Sequence, residues 1–206
     1  KLGEAAIRKL LQKFPKFKSQ LFYHQLDITN NESIQSIAYW IKENFWKLHV
    51  LFNNAGVYNV PRNKVIETNV FGTINITQYF VKNDLIADNG KIISVGSGLG
   101  AYSCAGKNAA DFKAAKSVDD LLKLSNNYLK ENWSYNAYSI SKLVLHIFSR
   151  ILGEESVIKT KNIGVFSMDP GWCRTDMGGS GAPHPAEHGS DIGIFIINLP
   201  NGINPK

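Results

Sequence analysis

The chain has 206 residues, of which 44% are hydrophobic and 19% charged, as expected for one globular domain rather than a disordered chain. Its net charge of +6 comes from dispersed lysines, and no nucleic-acid-binding motif accompanies them, so we expect no nucleic-acid partner. No apolar run approaches the ~18 residues that cross a bilayer, and two cysteines are too few for a disulfide framework, which argues against both a membrane protein and a disulfide scaffold.

Helix and strand patterns alternate along the first half of the chain. Apolar residues recur at helical spacing over residues 2–14, and Pro15 ends this helix. A short aromatic-rich run over residues 21–26 predicts a strand, and Thr29 with Glu32 forms a capping-box signature for the next helix. The elements predicted after them are a helix to residue 45, a strand over residues 49–52, a helix over residues 64–82 and a strand over residues 91–95.

The second half begins with a long segment, residues 99–136, which contains a helix of its own with Ser117 as its N-cap. The helix that follows carries Tyr138 and Lys142 and continues to residue 152. The predicted order ends with a strand over residues 162–168 and a helix over residues 186–198.

This alternation predicts a parallel sheet with helices on both faces. In such a sheet, the ligand crevice lies beyond the carboxyl ends of the strands. Asp27, NNAG at residues 53–56, GSG at residues 96–98 and DPGW at residues 169–172 each follow a predicted strand directly. We therefore expect polar and glycine residues along one edge, where the helix bearing Tyr138 also begins.

Tyr138 and Lys142 are four residues apart, so a helix brings their side chains to one face. A tyrosine with its ordinary pKa of about 10 is a poor acid or base at neutral pH, and a nearby cation lowers that pKa. The pair is therefore a candidate for proton transfer, although any helix surface offers such pairs and the spacing alone leaves both interpretations open.

These residues occur in motifs that resemble those of the short-chain dehydrogenase/reductase family, and within it of the carbonyl reductases. The resemblance covers nearly the whole chain from about Phe22. Its motifs, in the family's order, are HQLDI (24–28), NNAG (53–56), TNVFGT (68–73), IISVGS (92–97), YSISK (138–142) and DPGWCRTDM (169–177). The segment over residues 99–136 is similar to the helical insertion of carbonyl-reductase-like members.

The resemblance implies a single α/β domain over residues 1–206, with a Rossmann-like doubly wound parallel sheet. It implies reduction of aldehyde, ketone or quinone carbonyls to alcohols by hydride transfer from NADPH. The choice of NADP over NAD follows from the analogy alone. An alcohol dehydrogenase of the same family, acting on terpenoid or steroid alcohols, stays open because the same residues serve both directions.

The resemblance also implies catalytic roles. Tyr138 would donate a proton to the carbonyl oxygen, and Lys142 would lower the pKa of Tyr138 and bind the nicotinamide ribose. Ser97 would hold the substrate oxygen, with Ser94 and Ser103 as nearby alternatives.

The resemblance implies a fourth catalytic residue, Asn69, and further residues at the family's cofactor-binding positions. Asn69 resembles the helix residue that holds a water chain leading to Lys142, with an ordinary surface amide as the alternative. Asp27 and Ile28 match the adenine contacts, and Asn54 matches the contact beside the ribose.

The segment DPGWCRTDM matches the loop at the nicotinamide end of the family's crevice. Within it, Cys173, Arg174 and Thr175 match the residues that pack on the nicotinamide, although Arg174 also suits a surface ion pair. Trp172 and Met177 are candidates for a substrate wall, and simple packing explains them as well.

The sequence departs from the family at its N-terminal end. The family's glycine-rich turn, whose amides hold the pyrophosphate, does not precede HQLDI. Only about twenty residues precede the strand at residues 21–26, fewer than the roughly 30 of a βαβ unit, so the resemblance implies a sheet incomplete at this end. Two interpretations stay open: a piece of a working enzyme, or a non-catalytic relic unable to bind cofactor.

The remaining expectations concern partners and location. The insertion would cover the surface through which other family members pair, so we expect a monomer that acts on a small-molecule carbonyl substrate. The chain shows neither an initiator Met nor a signal peptide, which indicates a cytoplasmic protein or a piece of a longer one. His184 and His188 are four residues apart without a third ligand, so we expect no metal site.

Overall fold

The computed structural model describes residues 2–131, 133–201 and 203. Its helices and strands are α1 (Leu2–Lys13), α2 (Asn31–Phe45), β1 (Leu48–Asn53), α3 (Arg62–Ile66), α4 (Thr73–Lys82), β2 (Ile86–Val95), α5 (Ala109–Ala114), α6 (Val118–Lys130), α7 (Ala137–Gly153), α8 (Ser156–Thr160), β3 (Gly164–Met168) and α9 (His188–Asn198). A π-helical turn over Glu67–Gly72 joins α3 to α4, and 3-10 turns lie at Pro15–Phe17, Gly98–Gly100 and Tyr102–Asn108. The predicted alternation is observed, apart from one predicted strand.

Strands β1, β2 and β3 form one parallel sheet in that spatial order. The register pairs Asn53 with Ser94 and Val95 with Met168, so the carboxyl ends of the three strands lie at one edge. The loops after these strands therefore leave the sheet side by side. The fold is α/β with an incomplete Rossmann-like parallel sheet, which confirms the predicted class.

Helices cover the two faces of the sheet unequally. On the first face, Leu51, Ile92 and Val165 lie in register and join the main hydrophobic core with residues of α2, α3, α4 and α7. On the second face, Phe166 packs in a small cluster with Ile196 of α9. Both faces carry helices, as predicted, but most of the buried apolar side chains belong to the first.

Helix α2 begins one residue later than the sequence pattern predicts. Its N-cap is Asn30, whose side chain accepts the N–H of Ser33 at 2.8 Å. The Thr29 hydroxyl donates instead to the Asp27 carboxylate at 2.7 Å. The predicted capping box of Thr29 and Glu32 is therefore wrong, because the turn at Asp27 engages Thr29.

The predicted strand over residues 21–26 is also wrong, since this segment pairs with none of the described strands. A strand is defined by backbone hydrogen bonds to a neighbour, and an extended segment without one stays irregular. The ring of Phe22 packs edge-on against Phe45 of α2, with centroids 5.1 Å apart. Helix α1, which precedes this segment, buries none of its side chains.

The segment over residues 99–136, predicted to be an insertion, contains α5 and α6 and packs on α3 and α7. Ser117 caps α6 as predicted: its hydroxyl accepts the Asp120 N–H at 3.1 Å, and the Asp120 carboxylate accepts the Ser117 N–H at 3.0 Å. Arg62 of α3 anchors the insertion by donating to the Tyr128 hydroxyl at 3.1 Å and to the Trp133 carbonyl. This segment therefore covers part of α7, the helix that carries Tyr138 and Lys142.

Candidate active site

Helix α7 brings three polar side chains to the carboxyl end of β2. Its N-cap is Asn136, whose side chain accepts the Ser139 N–H at 3.1 Å. Tyr138, Lys142 and His146 follow at intervals of four residues and therefore share one face of the helix. Lys142 and His146 both contact backbone carbonyls at the end of β2, so this face meets the sheet edge.

Lys142 is a buried cation, with only 6% of its surface exposed. Its ammonium donates to the carbonyl of Val95 at 2.6 Å and lies 5.3 Å from the centre of the Tyr138 ring. Burial lowers the pKa of Lys142 to about 8, and the negative charge of Asp169 partly opposes that change. The side chain is therefore poised to gain or lose its charge near neutral pH.

The pKa of Tyr138 moves in the direction opposite to the one expected from its lysine neighbour. Burial raises this pKa most, and the nearby Asp169 and Tyr58 raise it further. Tyr58, in the loop after β1, packs edge-on against Tyr138 with ring centres 5.0 Å apart. These surroundings disfavour the phenolate, so the tyrosine keeps its proton at neutral pH.

Ser97 lies just beyond β2 and caps the 3-10 turn Gly98–Gly100. Its hydroxyl oxygen accepts the Leu99 N–H at 3.2 Å, and no acceptor for its own O–H is found among the described residues. Ser94 is buried inside β2, where its hydroxyl has no hydrogen-bond partner among the described residues, and Ser103 is an exposed residue of the segment over residues 99–136. Of the three serines, Ser97 therefore has the hydroxyl best placed to donate at the sheet edge.

Asn69 is fully buried in the π-helical turn and joins three elements. Its side-chain oxygen accepts the N–H of Val57 at 2.8 Å, and its NH2 group donates to the Val57 carbonyl at 3.0 Å. The same NH2 group donates to Ser141 at 3.1 Å, and the Ser141 hydroxyl donates to the backbone carbonyl of Tyr138 at 2.7 Å. Asn69 is thus no surface amide: it ties the loop after β1 to the helix that bears Tyr138.

Asp169 is a site residue to which sequence reasoning assigned no role. Its carboxylate accepts the Gly98 N–H at 2.7 Å and the Gly171 N–H at 2.9 Å, and so joins the loops that follow β2 and β3. It also places a negative charge beside Tyr138 and Lys142. The only sequence signal was its position, directly after a predicted strand at the ligand-binding edge.

The residues matched to the adenosine half lie at the start of α2 and beyond β1. The Asp27 carboxylate accepts the N–H and the hydroxyl of Thr29, and these hydrogen bonds lower its pKa. Ile28 is buried, with its side chain against Gly72, whereas Asn54 is exposed just after β1.

The loop after β3 holds the residues matched to the nicotinamide end. The Arg174 guanidinium donates to the carbonyls of Ala182 and Pro183, at 2.9 and 2.8 Å. Arg174 therefore stabilises the loop through backbone carbonyls, and among the described residues no carboxylate forms an ion pair with it. Cys173 is buried, and the Thr175 hydroxyl accepts the Gly178 N–H at 3.1 Å. Trp172 and Met177 are largely exposed at the rim of this loop.

The family of the chain follows from a comparison with known proteins. The family model for short chain dehydrogenase matches residues 2–118, more than half of the chain. The chain belongs to the short-chain dehydrogenase family. Carbonyl reductase [NADPH] 1 of Rattus norvegicus is 28% identical over 87% of this chain and 73% of that protein. Carbonyl reductase [NADPH] 1 of Sus scrofa is 27% identical over 97% of this chain and 75% of that protein.

Solved structures of reductases share this short-chain dehydrogenase fold. Salutaridine reductase from Papaver somniferum matches with a TM-score of 0.81 and 22% identity, over 98% of this chain and 86% of that chain. Menthone neomenthol reductase from Mentha piperita matches with a TM-score of 0.75 and 18% identity, over 98% of this chain and 85% of that chain. At these identities the likeness supports the fold alone.

The described part of the chain contains neither a metal site nor a membrane-spanning helix. Over residues 2–131, 133–201 and 203, no group of three or more His, Cys, Asp and Glu side chains is arranged to hold a metal ion. The rings of His184 and His188 stack with centres 4.3 Å apart, and Nδ1 of His188 lies 3.5 Å from a carboxylate oxygen of Asp191. Within the same residues, no helix combines the length and the apolar character that crossing a membrane requires.

Proposed function

We propose that this chain reduces aldehyde, ketone or quinone carbonyls to alcohols with NADPH. The observation that carries the proposal is the arrangement of Tyr138, Lys142 and Ser97 at the carboxyl end of β2. The relatives named carbonyl reductase [NADPH] 1 support the same class of substrate and the same cofactor.

Tyr138 acts as the general acid in this proposal. Its phenol, whose pKa the surroundings raise, is protonated at neutral pH, and the nearby positive charge of Lys142 favours transfer of that proton to the substrate oxygen as negative charge develops there. The Ser97 hydroxyl donates to the same oxygen and stabilises the negative charge that develops there. NADPH, when bound, supplies the hydride that the carbonyl carbon receives.

Lys142 fits a ligand that carries hydroxyl groups. A lysine ammonium has three N–H donors, and the bond to Val95 uses one of them. The remaining donors of a buried cation favour an acceptor such as a ribose hydroxyl. After proton transfer, the same positive charge stabilises the Tyr138 phenolate, 5.3 Å from the ring centre.

Two further groups of residues would hold the dinucleotide. On the adenosine side these are Asp27, Ile28 and Asn54, and on the nicotinamide side Cys173, Arg174 and Thr175. Ile28 would contribute through its backbone, because its side chain is buried against Gly72. Asn69 would act by holding the loop after β1 and the start of α7. The exposed Trp172 and Met177 would form an apolar wall for the substrate.

The test is the oxidation of NADPH by the chain in the presence of a quinone or an aromatic aldehyde. In Tyr138→Phe we expect turnover to fall by about 100-fold or more, because the proton donor is lost. NADPH binding, measured by fluorescence titration, should change little. Tyr39→Phe, an exposed tyrosine of α2, is the matched control. Near-normal turnover in Tyr138→Phe would contradict the assigned role.

A second candidate is that the 206-residue chain by itself binds no dinucleotide. It is favoured by one observation: α1 buries none of its side chains, and the segment over residues 21–26 after it pairs with no described strand. The same NADPH titration separates the candidates. Micromolar binding with turnover rules out the second, and no binding at millimolar NADPH rules out the first for this chain.

We also propose that the chain acts as a single domain, as a monomer and in the cytoplasm. The insertion packs on α3 and α7 and so covers the helices through which a dimer would form. Sedimentation velocity should show one species with the mass of a single chain. A stable dimer would contradict the proposal.

A further inference from the structure

His146 lies one turn beyond Lys142 on the same face of α7 and links two strands. Its Nε2 atom lies 2.9 Å from the backbone carbonyl oxygen of Ser97, just after β2. Its Nδ1 atom lies 2.7 Å from the hydroxyl of Ser167 in β3. The ring is half-buried between the loop after β2 and strand β3.

These two contacts define which ring nitrogen carries the proton. A carbonyl oxygen only accepts, so Nε2 must donate to Ser97, and Nδ1 then accepts from the Ser167 hydroxyl. The Ser97 N–H also lies 3.4 Å from Nε2, where only the opposite tautomer could accept it; the shorter 2.9 Å contact with the carbonyl oxygen favours the proton on Nε2. One tautomer of the ring thus satisfies both the Ser97 carbonyl and the Ser167 hydroxyl.

The loop after β2 is shaped around this ring. A Cβ atom on Gly96 would lie 2.3 Å from Cε1 of His146 and 2.9 Å from the Ser167 hydroxyl. A Cβ atom on Gly100 would lie 2.6 Å from the backbone carbonyl carbon of Lys142 and 2.9 Å from Cδ2 of His146. Glycine at position 96 lets the backbone before Ser97 close against the imidazole, and glycine at position 100 lets the backbone after Ser97 close against α7 and the same ring.

The orientation of Ser97 depends on these contacts. Its carbonyl accepts from His146 and from the Gly100 N–H, both at 2.9 Å, while its hydroxyl accepts the Leu99 N–H at 3.2 Å. We propose that His146 is a positioning residue: it holds the Ser97 peptide so that the Ser97 hydroxyl points at the substrate oxygen. This inference rests on the proposed reductase function and assigns no contact between His146 and substrate.

Two substitutions separate positioning from simple packing. In His146→Gln the side-chain amide reaches the place of Nε2 and still donates to Ser97, whereas in His146→Asn the amide reaches only the place of Nδ1. We expect His146→Asn to lower kcat by about tenfold or more, since small displacements of catalytic groups are costly. We expect His146→Gln to recover most of that loss, and the KM for NADPH to stay within about twofold in both. Equal kcat values in the two variants would overturn the proposal.

A double-mutant cycle tests whether His146 acts through Ser97. If it does, His146→Asn costs little further kcat once Ser97→Ala has removed the hydroxyl. Full additivity of the two losses would overturn the proposal. Ser167→Ala, which removes only the partner of Nδ1, is the milder variant and should lower kcat by about two- to threefold.

A measurement without substrate or cofactor keeps this inference separate from the proposed function. The Ser97 hydroxyl oxygen accepts the Leu99 N–H, and the Ser97 carbonyl accepts the Gly100 N–H. The rate of hydrogen exchange at these two amides therefore reports on how firmly Ser97 is held. We expect exchange at both amides to be about tenfold faster in His146→Asn than in the wild type or His146→Gln. A wild-type chain without turnover would contradict the reductase proposal alone, whereas unchanged exchange in His146→Asn would overturn the role of His146.

Discussion

Helices α1 and α7 carry similar apolar stripes but lie in opposite surroundings. Helix α7 crosses the first face of the sheet and buries eleven of its residues, among them Phe148 and Lys142. Helix α1 buries none of its residues. The ring of Tyr23 packs against it at Gly3. An amphipathic pattern therefore predicts a helix, but packing makes that helix stable only where a sheet surface receives its apolar side.

The same difference bears on function. The burial that stabilises α7 also desolvates Lys142 and Tyr138, and thereby moves the pKa of one down and of the other up. A chemically unusual Tyr–Lys pair thus requires the covered face of the sheet.

The largest effect should come from removing a side chain of the covered face. Phe148→Ala in α7 should lower the free energy of unfolding by about 3–5 kcal/mol, because Phe148 is fully buried and leaves a cavity. Phe195→Ala on α9, where the ring is 63% exposed, should cost less than about 1 kcal/mol. Urea denaturation measures both, and similar losses would contradict the contrast between the two faces.

Removing the charge of Lys142 should stabilise the chain at neutral pH. In the folded chain the pKa of Lys142 is about 8, below its ordinary value of 10.5, so the unfolded chain binds this proton more tightly. The charged side chain therefore lowers the free energy of unfolding at pH values where the unfolded chain holds the proton. Lys142→Met should therefore raise the free energy of unfolding at pH 7 by roughly 1–3 kcal/mol.

The pH dependence gives this prediction its sign. The destabilisation by Lys142 is fully present below pH 8, shrinks between pH 8 and 10.5, and is absent above that range. The advantage of Lys142→Met over the wild type should fade over the same interval, as thermal denaturation at several pH values would show. A variant less stable than the wild type at pH 7 would contradict the burial cost.

A smaller effect should follow from loosening the insertion that covers α7. Arg62→Met removes the hydrogen bonds to Tyr128 and Trp133 and should cost about 1–3 kcal/mol in unfolding free energy. Lys64→Met, two residues away, removes only an exposed ion pair with Glu67 and should cost less than about 1 kcal/mol. Equal urea midpoints for the two variants would show that Arg62 does not anchor the insertion.

The smallest effect should appear on α1. Leu10→Ala should change the free energy of unfolding by less than about 0.5 kcal/mol, since Leu10 is 44% exposed. Ile37→Ala, at a comparable position of the buried stripe of α2, should cost about 2–4 kcal/mol. A large loss in Leu10→Ala would reveal packing of α1 that its exposure does not indicate.

Local patterns in the sequence were enough to predict most of the fold. The stripe of α2, the cap of α6 at Ser117 and the glycine runs after β1 and β2 were each predicted, because periodicity and capping depend on residues within a turn or two. The order of elements then predicted a parallel sheet with its site at one edge. The family resemblance was confirmed by the match over residues 2–118.

Long-range contacts account for what was missed. The segment over residues 21–26 has the composition of a strand, but strand pairing requires a neighbour that its own sequence cannot specify. The cap at Asn30 is the exception, since it was missed for a local reason: the Asp27 carboxylate engages Thr29, and Asn30 caps the helix instead. The pKa of Tyr138 depended first on burial and then on Asp169 and Tyr58, and no spacing rule connects these to Tyr138.

The sequence by itself determined that this chain alternates helices and strands, that polar motifs follow the strands, and that Tyr138 and Lys142 share a helical face. The tertiary structure alone decided the chemistry of that face. The ammonium of Lys142 bonds to a residue 47 positions away, and Asn69 bonds to one 72 positions away. Such contacts, and the burial that accompanies them, arise only when distant segments pack together, because solvent exclusion is a property of the assembled fold and not of any local stretch.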